Sequence, residues 1–136
     1  MEINIQLTTT RIADPMPACL AVGEVGAWVE FRGIVRAEED GKPISALEYE
    51  GYAPMAEAEM RRILSDLAAR GPCLFARVIH RIGVVPAGEA AIYVGIGARH
   101  RAEAFALLTA FLDRLKKDVP IWKRRAITGD ESKASR

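Results

Sequence analysis

The sequence is short of the residues on which compact catalytic and metal centres are usually built. It contains two cysteines and two histidines. Cys19 and Cys73 form no C-x-x-C pair, and neither histidine stands at a metal-ligand spacing from them, so no metal is expected. Each cysteine sits among apolar or small residues, which predicts reduced, structural thiols in a cytosolic protein. No apolar run approaches the roughly 18–20 residues that span a bilayer. The opening "MEINIQLTTTR" has no apolar signal core, so a cytoplasmic protein without membrane contact is expected. Also missing are a phosphate-cradling glycine loop, an H-E-x-x-H pair and a G-x-S-x-G elbow, and no nucleophile motif surrounds either cysteine. Nineteen Lys and Arg against eighteen Asp and Glu leave a net charge of +1, so any basic site is local rather than a property of the whole surface. Two Trp and three Tyr offer little stacking surface, which argues against a nucleic-acid partner.

What is present fits one globular domain. A length of 136 residues, half of them apolar, supports a single core. "INIQL" alternates like a short strand. "ADPMPACLAVGEVG" reads as a loop, and "AWVEFRGIVR" (27–36) as a strand with Trp28, Glu30 and Arg32 on one face. "EEDGKP" is a turn and "ISALEYEGY" (44–52) a third strand. From Met55 the spacing becomes helical through Met60, Ile63, Leu64 and Leu67, until Gly71-Pro72 stops it. "CLFARVIHRIGVV" (73–85) and "AAIYVGIGA" (90–98) read as strands, the second apolar on both faces and therefore buried. Phe105, Leu108, Phe111, Leu112 and Leu115 mark a second amphipathic helix, ended before Pro120. The order β-β-β-α-β-β-α, with two principal helices and a mainly antiparallel sheet, is that of an α+β fold. Residues 1–125 are expected to form the domain and 126–136 a polar C-terminal tail.

Positive charge gathers at the ends of these elements. "LKKDVPIWKRR" (115–125) sets Lys116 and Lys117 before a Pro-Ile-Trp corner and Lys123, Arg124 and Arg125 around and after it. Lys116 closes the second helix, where a cation is stabilised by the helix dipole without any ligand. Crowded by other cations and partly desolvated, it would instead be a working lysine. His100-Arg101 precedes the same helix, where unpaired N–H groups already attract anions. A solvent-facing pair is the equally open alternative. Arg36 closes the second strand. His80 reads more readily as a histidine holding a backbone group than as a catalytic one, and Glu48 and Glu50 as a solvated or interface face rather than a carboxylate pair. Trp28 and Arg32 are candidate interface residues.

Four stretches taken together, "FRGIVR", "LEYEGYAPMAEAEM", "VIHRIGVVPAGEAAIYVGIGARHRAEAF" and "LKKDVPIWKR", resemble in order and spacing the large, catalytic subunit family of molybdopterin synthase. The likeness covers about residues 25 to 125. It implies an α/β hammerhead fold and a homodimer of large subunits within a heterotetramer, with a small ubiquitin-like subunit at each end. In that family the small subunit's C-terminal thiocarboxylate supplies the sulfur, with no other cofactor. The acceptor is cyclic pyranopterin monophosphate, which becomes the molybdopterin dithiolene. The resemblance places the family's two working lysines on Lys116 and Lys123. It assigns substrate binding to Arg36, His100 and Arg101, the last two facing the neighbouring protomer's lysines. The chain departs from the family at Arg125, where a Glu is usual, and lacks the further Trp-bearing segment that commonly follows. A non-catalytic paralogue docking a ubiquitin-like partner, and a phosphate- or RNA-binding module, are the alternatives that the residues leave open.

Overall fold

The structure is a computed structural model, and it describes residues 1–13 and 23–128. Cys19 and most of the loop around it lie outside the described residues. The elements run β1 (Glu2–Thr8), β2 (Ala27–Ile34), β3 (Glu38–Glu39), β4 (Lys42–Pro43), β5 (Ala46–Gly51), α1 (Ala53–Ala68), β6 (Cys73–Arg81), β7 (Gly83–Pro86), β8 (Ala90–Ala98), α2 (Arg101–Asp118) and β9 (Ile121–Ile127). The α+β class, the two principal helices and the mainly antiparallel pairing expected from the sequence are all present. A four-stranded sheet has the order β1-β6-β8-β2, a three-stranded sheet the order β7-β5-β9, and β3 and β4 form a separate hairpin. Only β1 and β6 among these ladders run parallel.

Both helices cover one face of the large sheet. α1 buries Ala56, Met60, Ile63, Leu64 and Leu67, and α2 buries Ala104, Leu107, Leu108 and Phe111. These meet Ala76 and Val78 of β6 and Val94 and Ile96 of β8 in one apolar cluster. Its burial is the main source of stability. Every residue of β8 is buried, as its two-faced apolar pattern requires of a central strand. Gly95 and Gly97 let the Trp28 indole of β2 lie flat on the opposite face, since a Cβ at Gly95 would overlap that ring. Met55 and Phe105, expected on the buried stripes, are 54% and 55% exposed. Met55 is the third residue of α1 and Phe105 the fifth of α2, both near the N-terminal end of the helix.

Three strands differ from the sequence expectation: β2 ends at Ile34, so Arg36 lies two residues beyond it rather than closing it, and two further differences concern the later strands. The run 73–85 is broken at Ile82, and Gly83 takes φ +88°, a conformation open to glycine at no steric cost. That turn sends β6 into the large sheet and β7 into the small one. Residues 121–127 form β9, so regular structure extends to Ile127, two residues past the boundary set at Arg125. Ile127 is buried, and its carbonyl accepts a hydrogen bond from the Ser45 N–H at 2.8 Å. A second apolar cluster of Val35, Ile44, Leu47, Val85 and Ala91, with Tyr49 packed against it, lies under the small sheet. Among the described residues no helix is long and apolar enough to cross a membrane.

Candidate anion-binding site

The charged corner is anchored by apolar residues. α2 ends at Asp118, and Val119 turns to extended backbone (φ −87°, ψ 131°). Its side chain is buried, and Ile121 packs against the same core. Pro120 between them blocks continuation of the helix. The corner is therefore pinned on both sides, with Lys116 in the last turn before it and Lys123 on the strand after it.

β9 runs antiparallel to β5 with an irregular register. Glu48 lies opposite Arg125 and the next residue, Tyr49, lies opposite Lys123, so Arg124 is an extra residue without a partner in the ladder, as in a β-bulge. Neighbouring residues of a strand face opposite ways, and cross-strand partners share a face. Lys123 accordingly lies on the inner face with Tyr49, and Arg125 on the outer face with Glu48.

On the inner face, Lys123 Nζ donates to Glu39 Oε1 at 3.2 Å. The Tyr49 ring meets the His80 ring edge-on at 5.7 Å. Burial raises the Tyr49 hydroxyl above its ordinary pKa; Lys123 pulls the other way and Glu39 adds to the rise. Tyr49 is therefore a neutral hydroxyl at neutral pH. His80 is buried, and its Nδ1 lies 2.8 Å from the Arg81 carbonyl. The carbonyl can only accept, so Nδ1 carries the proton. Desolvation pushes the His80 pKa down. His80 is the backbone-holding histidine expected of it.

On the outer face, Arg125 Nε donates to Glu48 Oε1 at 3.0 Å. Arg124 lies 3.9 Å from Glu48 and 4.0 Å from Glu50. Glu48 and Glu50 thus form a charged face neutralised by β9 rather than a carboxylate pair. Arg125 is held by an acid across the ladder and lies on the face away from Lys123.

The remaining expected residues are all exposed: Arg36, His100, Arg101 and Lys116. Lys116, in the last turn of α2, is exposed in the single chain. His100 is the N-cap residue of α2, extended at φ −131° and ψ 149°, with no side-chain cap bond. With Arg99 it borders an open depression of about 500 Å³ lined by Gly23, Glu24, Val25 and Gly26. At 1.5 Å per residue, the helix separates Arg101 from Lys116 by about 22 Å. One chain therefore brings Lys123 and Glu39 together but does not bring His100-Arg101 to the lysines. An apolar cleft of about 440 Å³ between α1 and α2 holds none of the expected residues. The Cys73 thiol lines it, donates to the Glu103 carbonyl at 3.5 Å, and is raised in pKa by burial.

Sequence reasoning missed Glu39 and Tyr49. "EEDGKP" was legible as a turn, but nothing local pairs its second Glu with a lysine 84 residues away.

A helix-covered mixed sheet, joined to a small antiparallel sheet that carries an exposed basic corner, defines a two-helix α+β protein. The MoaE protein family model matches residues 5–118. The chain belongs to that family. It is 42% identical over 99 residues to the molybdopterin synthase catalytic subunit of Homo sapiens, covering 73% of this chain and 53% of the human protein. The chain spans 33% to 64% of the length of the first three curated relatives that it matches. Molybdopterin synthase from Staphylococcus aureus superposes with a TM-score of 0.76 at 30% identity, covering 95% of this chain and 91% of that one. A complex of subunits 1 and 2 of molybdopterin-converting factor from Helicobacter pylori shares the fold, with a TM-score of 0.66 at 20% identity, covering 95% of this chain and 90% of that one.

Proposed function

We propose that this chain is the catalytic subunit of a molybdopterin synthase. It transfers sulfur from the C-terminal thiocarboxylate of a small ubiquitin-like subunit to cyclic pyranopterin monophosphate, forming the dithiolene. The observation that carries this reading is the pinned α2–Pro120–β9 corner, which presents Lys116 and Lys123 in a chain with a 42% identical synthase relative. Both reactants are anionic, so their approach is repulsive unless cations line the site. Lys116 stabilises the oxyanion formed as the acyl–sulfur bond is exchanged and moves a proton. Lys123 holds the pterin or the inserted tail. Arg36, His100 and Arg101 bind the substrate's anionic end.

Exposure of Lys116 supports a partner that covers the corner and excludes water. The α2 length supports a homodimer within a heterotetramer, in which His100 and Arg101 of one protomer serve the lysines of the other. The functional unit on this reading is one domain ending with β9, acting in the cytoplasm and using no metal or nucleic acid.

The test is to mix the purified chain with thiocarboxylated small subunit and cyclic pyranopterin monophosphate. Dithiolene product by mass spectrometry is the expected result, with Lys116→Ala reduced by a factor of about 100 or more. Partner binding without product would overturn catalysis in favour of a docking paralogue. Product at the wild-type rate from Lys116→Ala would overturn the lysine's role.

A further inference from the structure

The "EEDGKP" turn does more than reverse the chain. Asp40 and Gly41 take φ +52° and +79°, the pattern of a tight two-residue type I′ hairpin turn. Glu39 pairs with Lys42 directly across it. The Ile44 N–H closes the hairpin's base by donating to the Ala37 carbonyl at 3.0 Å. Glu39 is thus fixed by backbone geometry. Its side chain is 25% exposed against 52% for Lys123, so the carboxylate is the more sheltered partner and the ammonium the more accessible to a ligand.

We propose that Glu39 is a positioning residue for Lys123, holding its ammonium on the Tyr49 face of the β5–β9 ladder, ready for an anionic ligand. This rests on the reading of Lys123 as a site residue. An ammonium has three donors and Glu39 Oε1 takes one, which leaves two for a phosphate or thiocarboxylate oxygen. A flexible four-carbon arm would otherwise be ordered only as the ligand arrives, at an entropic cost to binding and reaction. Tyr49, backed by the His80 ring, closes the side of the ladder on which the lysine lies. Because the hydroxyl of Tyr49 stays neutral, it adds no negative charge to repel the ligand.

The experiment is a double-mutant cycle in the reconstituted complex, using Glu39→Gln, Lys123→Ala and the double variant, with Glu39→Asp as the conservative control. Removal of an exposed ion pair predicts a fall in kcat of about fivefold for Glu39→Gln, with the KM for the pterin less affected and part of the loss recovered in Glu39→Asp. In the Lys123→Ala background Glu39→Gln adds nothing, because a residue acting through another is not additive with it. Wild-type kcat in Glu39→Gln overturns the proposal. An equal loss in both backgrounds also overturns it, while leaving Lys123 in the site. No effect of Lys123→Ala removes both readings together.

Discussion

Replacing Arg125 by glutamate is expected to destabilise the chain. Arg125→Glu removes the 3.0 Å bond to Glu48 and sets a second carboxylate directly across the ladder from it. The Glu48 side chain is 18% exposed and that of Arg125 55% exposed. Solvent screening therefore limits the lost attraction to about 0.5–1 kcal/mol. Like charges placed opposite each other add a penalty of similar size, for a total of about 1–2 kcal/mol. Arg124, 3.9 Å from Glu48, remains to soften the repulsion and favours the lower half of that range. For a domain of this size the midpoint of thermal unfolding should fall by roughly 3–6 °C. The swapped pair, Glu48→Arg with Arg125→Glu, should recover most of the loss, and added salt should shrink it. Thermal unfolding of the four proteins at low and high salt gives the coupling. Additive effects, or a single variant as stable as the wild type, would refute the Arg125–Glu48 pair as a stabilising contact.

Two further outcomes follow from buried groups. His80 is held neutral, with a folded-state pKa below the ordinary value of about 6.5. Its contribution to stability is complete above the unfolded pKa and is lost as pH falls through about 6.5 toward the folded pKa, because the unfolded chain takes up the proton first. His80→Gln should flatten that part of the stability-versus-pH curve measured by urea unfolding; an unchanged slope would show that His80 is not buried neutral. Cys73 is buried with a raised pKa, so its alkylation by iodoacetamide, followed by peptide mass spectrometry, should be slow in the native protein and fast in urea. Fast native labelling would place that thiol in contact with solvent.

The parts of the fold that could be read from the sequence are those specified by local periodicity. Helix stripes such as Met60-Ile63-Leu64-Leu67 and the two-faced apolar run of β8 carry their burial in their own spacing. β9 does not. "IWKRRAI" reads as a charged corner running into a polar tail, because its stability as a strand comes from backbone pairing with β5 and from acids at Glu48 and Glu50. The break between β6 and β7 was hidden because the apolar run continues through Ile82 and only the φ of Gly83 marks the change. For the site, the cations themselves were legible as a cluster, and the corner residues Pro120 and Trp122 marked where it turns. Which acid answers each cation was not legible: Glu39 reaches Lys123 across 84 positions, and Glu48 reaches Arg125 across 77. Those pairings exist only once the hairpin and the small sheet have formed.

The bulge at Arg124, which has no partner residue in the β5–β9 ladder, has a consequence for how this segment can vary. In a regular strand Lys123 and Arg125, two residues apart, would point the same way, and a basic pair would crowd one face. The extra residue reverses the second of them, so one side of β9 keeps a lysine for anions and the other keeps an arginine for acids. The identity of residue 124 matters little to that division, but its presence does. Sequence drift at this point is therefore constrained in length rather than in composition: an exchange of side chain is absorbed, whereas losing or gaining one residue would turn the arginine inward and strand the acids of β5 without their partner.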